Sequence, residues 1–128
     1  MPAGQENERR FSQSSAIPYH DAYKIIDKQM RHCFRVITWL GNGLDVQAEL
    51  DKFDKKGTIE LYSIGLGGPS KPEESGVNVT VSIFEAAGNG STIVTTGSTG
   101  TVPLWVYRVH KGIPAWLDGV PTCALQSK

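Results

Sequence analysis

The stretch that most limits the fold is Val77-Asn78-Val79-Thr80-Val81-Ser82-Ile83, where apolar β-branched residues alternate with short polar ones. A period of two places Val77, Val79, Val81 and Ile83 on one face of a strand and Asn78, Thr80 and Ser82 on the other. Such a strand needs partner strands beside it and a second layer over its apolar face.

The partners lie on both sides in sequence. In LDVQAEL, Val46, Ala48 and Leu50 alternate inward. In TIELYSIGL, Ile59 and Leu61 share one parity while Tyr62, Ile64 and Leu66 share the other. That switch predicts a bulge, or a strand covered on both faces. STIVTTG forms a further strand after Asn89-Gly90, a strong hairpin signal. DKFDKKG is hairpin-like too, and FRVITWL before Gly41-Asn42-Gly43 reads as a short first strand. Short links predict an antiparallel meander of four or five strands.

The covering layer is helical. In PYHDAYKIIDKQMRHCF, Ala22, Ile25, Ile26, Met30 and Cys33 recur at helical spacing, with Lys24, Asp27, Lys28 and Arg31 opposite. Pro18 or Asp21 suits its first turn, and Arg31 and His32 its last. In TVPLWVYRVHKGIPAWLDG, Val102, Trp105, Val106, Val109, Ile113, Trp116 and Leu117 follow the same period. Thr101 fits an N-cap and Pro103 a first turn. The β-branched and aromatic content also allows a strand over 101–111. We favour a helix, kinked or broken near Gly112 and Pro114, and stopped by Asp118-Gly119. The predicted fold is α+β: an N-terminal helix, the meander, then the C-terminal helix on the same face.

Residues 1–16 carry no apolar period, which predicts a flexible leader ahead of a single domain over 17–128. Thirteen basic and thirteen acidic residues cancel, so no net field recruits nucleic acid. No run of 18 apolar residues exists to span a bilayer, and MPAGQENERRF lacks the apolar region of a signal peptide.

Only two cysteines are present, Cys33 at the end of the first helix and Cys123 in the tail after the second. With the helices side by side these ends meet, which predicts a disulfide closing about 90 residues and an oxidising compartment. The alternative is two unrelated buried thiols. AYKIIDKQMRHCF, the strand-rich middle and the closing AWLDGVPTC together resemble the mature domain of small proteobacterial cell-envelope lipoproteins, over roughly residues 20–123. The resemblance implies a periplasmic α+β domain tethered to the outer membrane by a lipid anchor that this chain, with no lipobox cysteine, does not carry. It also implies another envelope protein as partner.

Candidate chemistry is sparse. His20, His32 and His110 form no H-x-x-x-H or H-E-x-x-H pair, so no metal site is predicted. Gly97-Ser98-Thr99-Gly100-Thr101 lacks the lysine and spacing of a phosphate-binding P-loop. No G-x-S-x-G elbow occurs. We therefore expect no catalytic residue and no cofactor. The binding candidates are the long polar loop Gly67-Gly68-Pro69-Ser70-Lys71-Pro72-Glu73-Glu74-Ser75-Gly76, and Trp105 and Trp116 as the lining of a helix–sheet cavity. Trp39 is a candidate exposed contact. The expected function is a non-catalytic envelope binding or accessory module. The alternatives are a small-molecule or lipid carrier, and a protein inhibitor or immunity factor.

Overall fold

A computed structural model describes residues 8–41, 43–64, 77–98 and 103–123. The elements in chain order are β1 (Glu8–Ser15), α1 (Tyr19–Phe34), β2 (Val36–Ile37), β3 (Gly43–Asp51), β4 (Lys56–Ile64), β5 (Val77–Glu85), a single 3₁₀ turn (Ala87–Asn89), β6 (Ser91–Ser98) and α2 (Pro103–Leu117). The class is α+β, with two α-helices among the described residues over one antiparallel sheet. The sheet has six strands in the order β1-β6-β5-β4-β3-β2.

Strands β2 to β6 form the expected meander. The extra strand corrects the reading of residues 1–16 as a leader: Glu8–Ser15 pairs antiparallel with β6 over its whole length, Glu8 opposite Ser98 and Ser15 opposite Ser91. Composition hid it because an edge strand covered on one face needs few apolar residues. Its inward row is Phe11, Gln13 and Ser15, while Arg10, Ser12 and Ser14 are exposed. The helix read as the first element is therefore the second.

Helix α1 carries the chain from β1 at one edge to β2 at the other. Its 16 residues span about 24 Å at 1.5 Å each. Five inter-strand gaps of about 4.8 Å give the same width. Pro18 precedes its first turn, Asp21 lies within that turn, and Arg31 and His32 close the last. Gly57 on β4 is a notch for α1, because a Cβ there would strike the Tyr23 ring.

The helix-covered face is built as the alternation predicts. Val46 of β3, Ile59 and Leu61 of β4, Val79, Val81 and Ile83 of β5 and Ile93 of β6 form one core with Ala22, Ile26 and Met30 of α1 and Val106, Val109, Ile113 and Trp116 of α2. Both helices thus lie on the same face. The parity switch in β4 is real: its register with β5 shifts between Leu61 and Tyr62, and Tyr62 and Ile64 are buried outside that core.

The break expected near Gly112 does not occur; α2 is continuous from Pro103 to Leu117 and Gly112 is buried within it. The physical reason lies on β1. Pro114 has no N–H to offer the carbonyl four residues back, which is that of His110. The Gln13 amide Nε2 donates to that carbonyl at 3.0 Å and lies 3.1 Å from His110 Nδ1. Phe11 stacks on the same imidazole, with centroids 4.7 Å apart. After Leu117 the chain turns at Gly119 (φ +88°), and the Val120 N–H returns to the Ala115 carbonyl at 2.9 Å, as in a Schellman stop.

Candidate binding surface

The sequence nominated the cysteine pair first, and the two residues do meet. Cys33, in the last turn of α1, and Cys123, in the segment after α2, form a disulfide with Cα atoms 5.2 Å apart. The segment is held a second time where Trp116 Nε1 donates to the Thr122 carbonyl at 2.8 Å. The bond ties the end of α1, beside the β2 edge, to the tail of α2.

The other nominated residues fare differently. The 67–76 loop lies outside the described residues. Trp105 lies in α2, but its side chain falls outside what is described. Trp116 is a core residue, 1% exposed. Its edge contributes to a shallow groove of about 340 Å³ between the helices, shared with Ile25, Gln29, Leu117 and Pro121. Gln29 Oε1 is buried without a partner among the described residues.

No three His, Cys, Asp or Glu side chains among the described residues converge as metal ligands. His110 is held neutral: burial lowers its pKa first, and the Lys111 ammonium adds to this. Tyr23 and Tyr62 are pushed up, mainly by burial and secondly by Asp27 and Asp45 respectively. Each perturbation follows from packing against the sheet or helix. Among the described residues no helix is long and apolar enough to cross a membrane.

What the structure adds is an apolar run in solvent. Val36 and Ile37 form β2, and Trp39 and Leu40 cap its turn into β3; Trp39 is 92% exposed and Leu40 54%. The turn is ordered locally. The Leu40 N–H binds Thr38 Oγ1 at 3.2 Å, and the Gly41 N–H binds the Thr38 carbonyl at 2.9 Å. Gly43, at φ +145°, admits the close approach of β2, because a Cβ there would overlap the Val36 carbonyl. At the other end of β3, Phe53 is 94% exposed in a turn organised by Asp51 Oδ1, which accepts from the N–H groups of Phe53 and Asp54 at 3.0 Å each.

Only Trp39 of this group was legible beforehand. FRVITWL reads as a short first strand. Nothing in it signals that the strand stops after two residues at a sheet edge where no helix covers Ile37 or Leu40.

No family model and no curated protein matches the chain. Among solved structures it is similar to a hypothetical protein from Helicobacter pylori, with 13% identity and a TM-score of 0.49, over 94% of this chain and 89% of that one. A likeness at this level carries no argument about function.

Proposed function

We propose that the chain is a non-catalytic binding or accessory module of the cell envelope, the soluble part of a lipoprotein, with another envelope protein as its partner. The observation that carries the reading is the exposed run Val36, Ile37, Trp39 and Leu40. Large apolar side chains gathered in solvent are costly for a monomer and are characteristic of interaction sites. Exposed tryptophan is the residue type most enriched among energetic anchors of interfaces. The disulfide supports an oxidising compartment, where such bonds persist. The lipid anchor and the periplasmic setting rest on the resemblance of the two chain ends to envelope lipoproteins.

The test compares immobilised wild type with Trp39→Ser/Leu40→Ser in capture from detergent-solubilised envelope, followed by reconstitution of the captured protein in pure form. The reading expects a defined partner that the double variant loses while its melting point is unchanged. Identical capture by both proteins would overturn the assignment to this surface. Substrate turnover abolished by one side-chain replacement would overturn the non-catalytic reading.

A second reading, carriage of a small molecule, is favoured by the inter-helix groove and the unpartnered Gln29 carbonyl. A carrier would show a co-purifying ligand by native mass spectrometry, lost on Gln29→Leu.

A further inference from the structure

We propose that the partner engages this module by adding an extended strand to the free edge of β3, and that this strand alternates apolar and basic residues. The inference rests on the binding-module reading and specifies the chemistry of the partner. Strand β2 covers only the start of β3, with Val36 opposite Leu44 and Ile37 opposite Gly43. From Asp45 to Asp51 the outer edge of β3 has no strand beside it among the described residues. Seven residues of open ladder, about 20 Å, offer backbone N–H and C=O groups to an incoming chain, apart from the Val46 N–H, which donates to Asp45 Oδ1 at 2.8 Å. Addition of a strand to such an edge is a recurrent way of recognising peptides.

The side chains along this edge specify the occupant. Val46 is buried, but Ala48 and Leu50, which follow it on the helix-covered parity, are only half-buried. The core is unfinished there, and apolar residues of an added strand would close it. On the opposite parity Gln47, Glu49 and Asp51 are exposed; on β4, Glu60 stands beside Gln47 and Lys56 opposite Asp51, so the uncompensated carboxylates are those of Glu49 and Glu60. Glu49 and Glu60 enter no ion pair among the described residues, and β3 contains no lysine or arginine. Basic residues at alternate positions would meet this acidic row. Phe53, nearly fully exposed, stands in the turn at the Asp51 end of the open ladder, while at the other end Arg35, paired with Asp45, and then β2 separate it from the exposed Trp39.

A second copy of the chain fits poorly. Two-fold antiparallel pairing of β3 centred on Ala48 would set Asp45 against Asp51 and Glu49 against Gln47. Like charges directly opposed across strands are destabilising.

The experiment uses the full, disulfide-intact chain and three labelled nonapeptides: one alternating lysine and valine, one alternating glutamate and valine, and one with lysines and valines in separate blocks. Fluorescence anisotropy reads affinity and amide hydrogen exchange reads the location. The proposal expects the alternating lysine peptide to bind at least tenfold more tightly than either of the others. It expects protection of β3 amides and not of β1 amides. Gln47→Lys/Glu49→Lys should weaken binding at least tenfold without changing the melting point. Equal binding of the block peptide would reduce the effect to charge attraction and overturn the proposal. So would protection at β1, or concentration-dependent self-association abolished by the lysine variants. If capture of the reconstituted envelope partner depends on Trp39 and Leu40 but not on Gln47 and Glu49, the strand addition falls and the binding-module reading stands. If capture depends on neither pair while the peptide result holds, the edge is competent and the envelope assignment falls.

Discussion

Replacing Gln13 by leucine removes the donor that holds β1 against α2 and leaves an apolar side chain one atom shorter. Gln13 Nε2 serves two acceptors of one residue, the His110 carbonyl at 3.0 Å and His110 Nδ1 at 3.1 Å. The carbonyl has no donor from its own helix because residue 114 is proline. A buried acceptor stripped of its partner costs about 1–3 kcal/mol. Both acceptors here are only partly buried, so the sum for Gln13→Leu should stay within about 1–3 kcal/mol. For a chain of this length that is a fall in Tm of roughly 3–15 °C. The assay is urea unfolding at pH 8, followed by tryptophan fluorescence and circular dichroism. The decisive arm is Pro114→Ala. Alanine restores the N–H that can reach the His110 carbonyl, so Gln13→Leu should cost about 1 kcal/mol less in that background. A Gln13→Leu protein as stable as wild type would refute the reasoning. An equal loss in both backgrounds would show that the proline and the glutamine are not linked.

The same contact predicts a pH dependence. The pKa of His110 lies below its ordinary 6.5, so the unfolded chain binds the proton more readily and stability rises with pH. The contribution is complete above about pH 6.5 and is lost as pH falls through the lower folded-state value. Protonation turns Nδ1 into a donor facing the Gln13 NH₂, and flipping the amide sets its oxygen against the His110 carbonyl; Phe11 stacks on the ring and Lys111 is the charged neighbour. Urea midpoints from pH 8 to pH 5 should fall more for wild type than for His110→Phe, and parallel curves would dismiss His110 as the source. Thr95→Val should be neutral or stabilising by about 1 kcal/mol, because Thr95 Oγ1 is buried without a partner among the described residues; a loss above 1 kcal/mol would reveal a hidden partner. Val81→Ala should cost about 1–3 kcal/mol by lost burial, and Thr80→Ala, on the other face, far less; equal costs in urea melts would contradict a sheet covered on one side. Cys33→Ser/Cys123→Ser, which opens a ring of 90 residues, should lose about 2–5 kcal/mol, and the difference should vanish when both proteins are melted under strong reductant.

What was legible in the sequence is what periodicity and pairing rules encode strongly. Val79, Val81 and Ile83 announce a one-sided strand, Ala22, Ile26 and Met30 announce the helix that covers it, and two solitary cysteines at helix ends announce their own contact. The parity switch at Leu61/Tyr62 was also visible, because a bulge changes which residues are apolar. The strand Glu8–Ser15 was not. An edge strand spends half its side chains on solvent and needs only Phe11 for the core, so its composition matches that of a disordered leader. Its specificity lies in a contact that no local window contains: Gln13 answers a vacancy created 101 residues later by Pro114. The continuity of α2 was hidden for the same reason, since proline is read as a break until a donor from elsewhere is found for the orphaned carbonyl. The binding surface lies between these cases. The residues of FRVITWL are apolar enough to be core, and they become a surface only because β2 ends after Ile37 and leaves β3 uncovered. Exposure at a sheet edge is decided by what the neighbouring strand fails to cover, which is a property of the topology and not of the residues themselves.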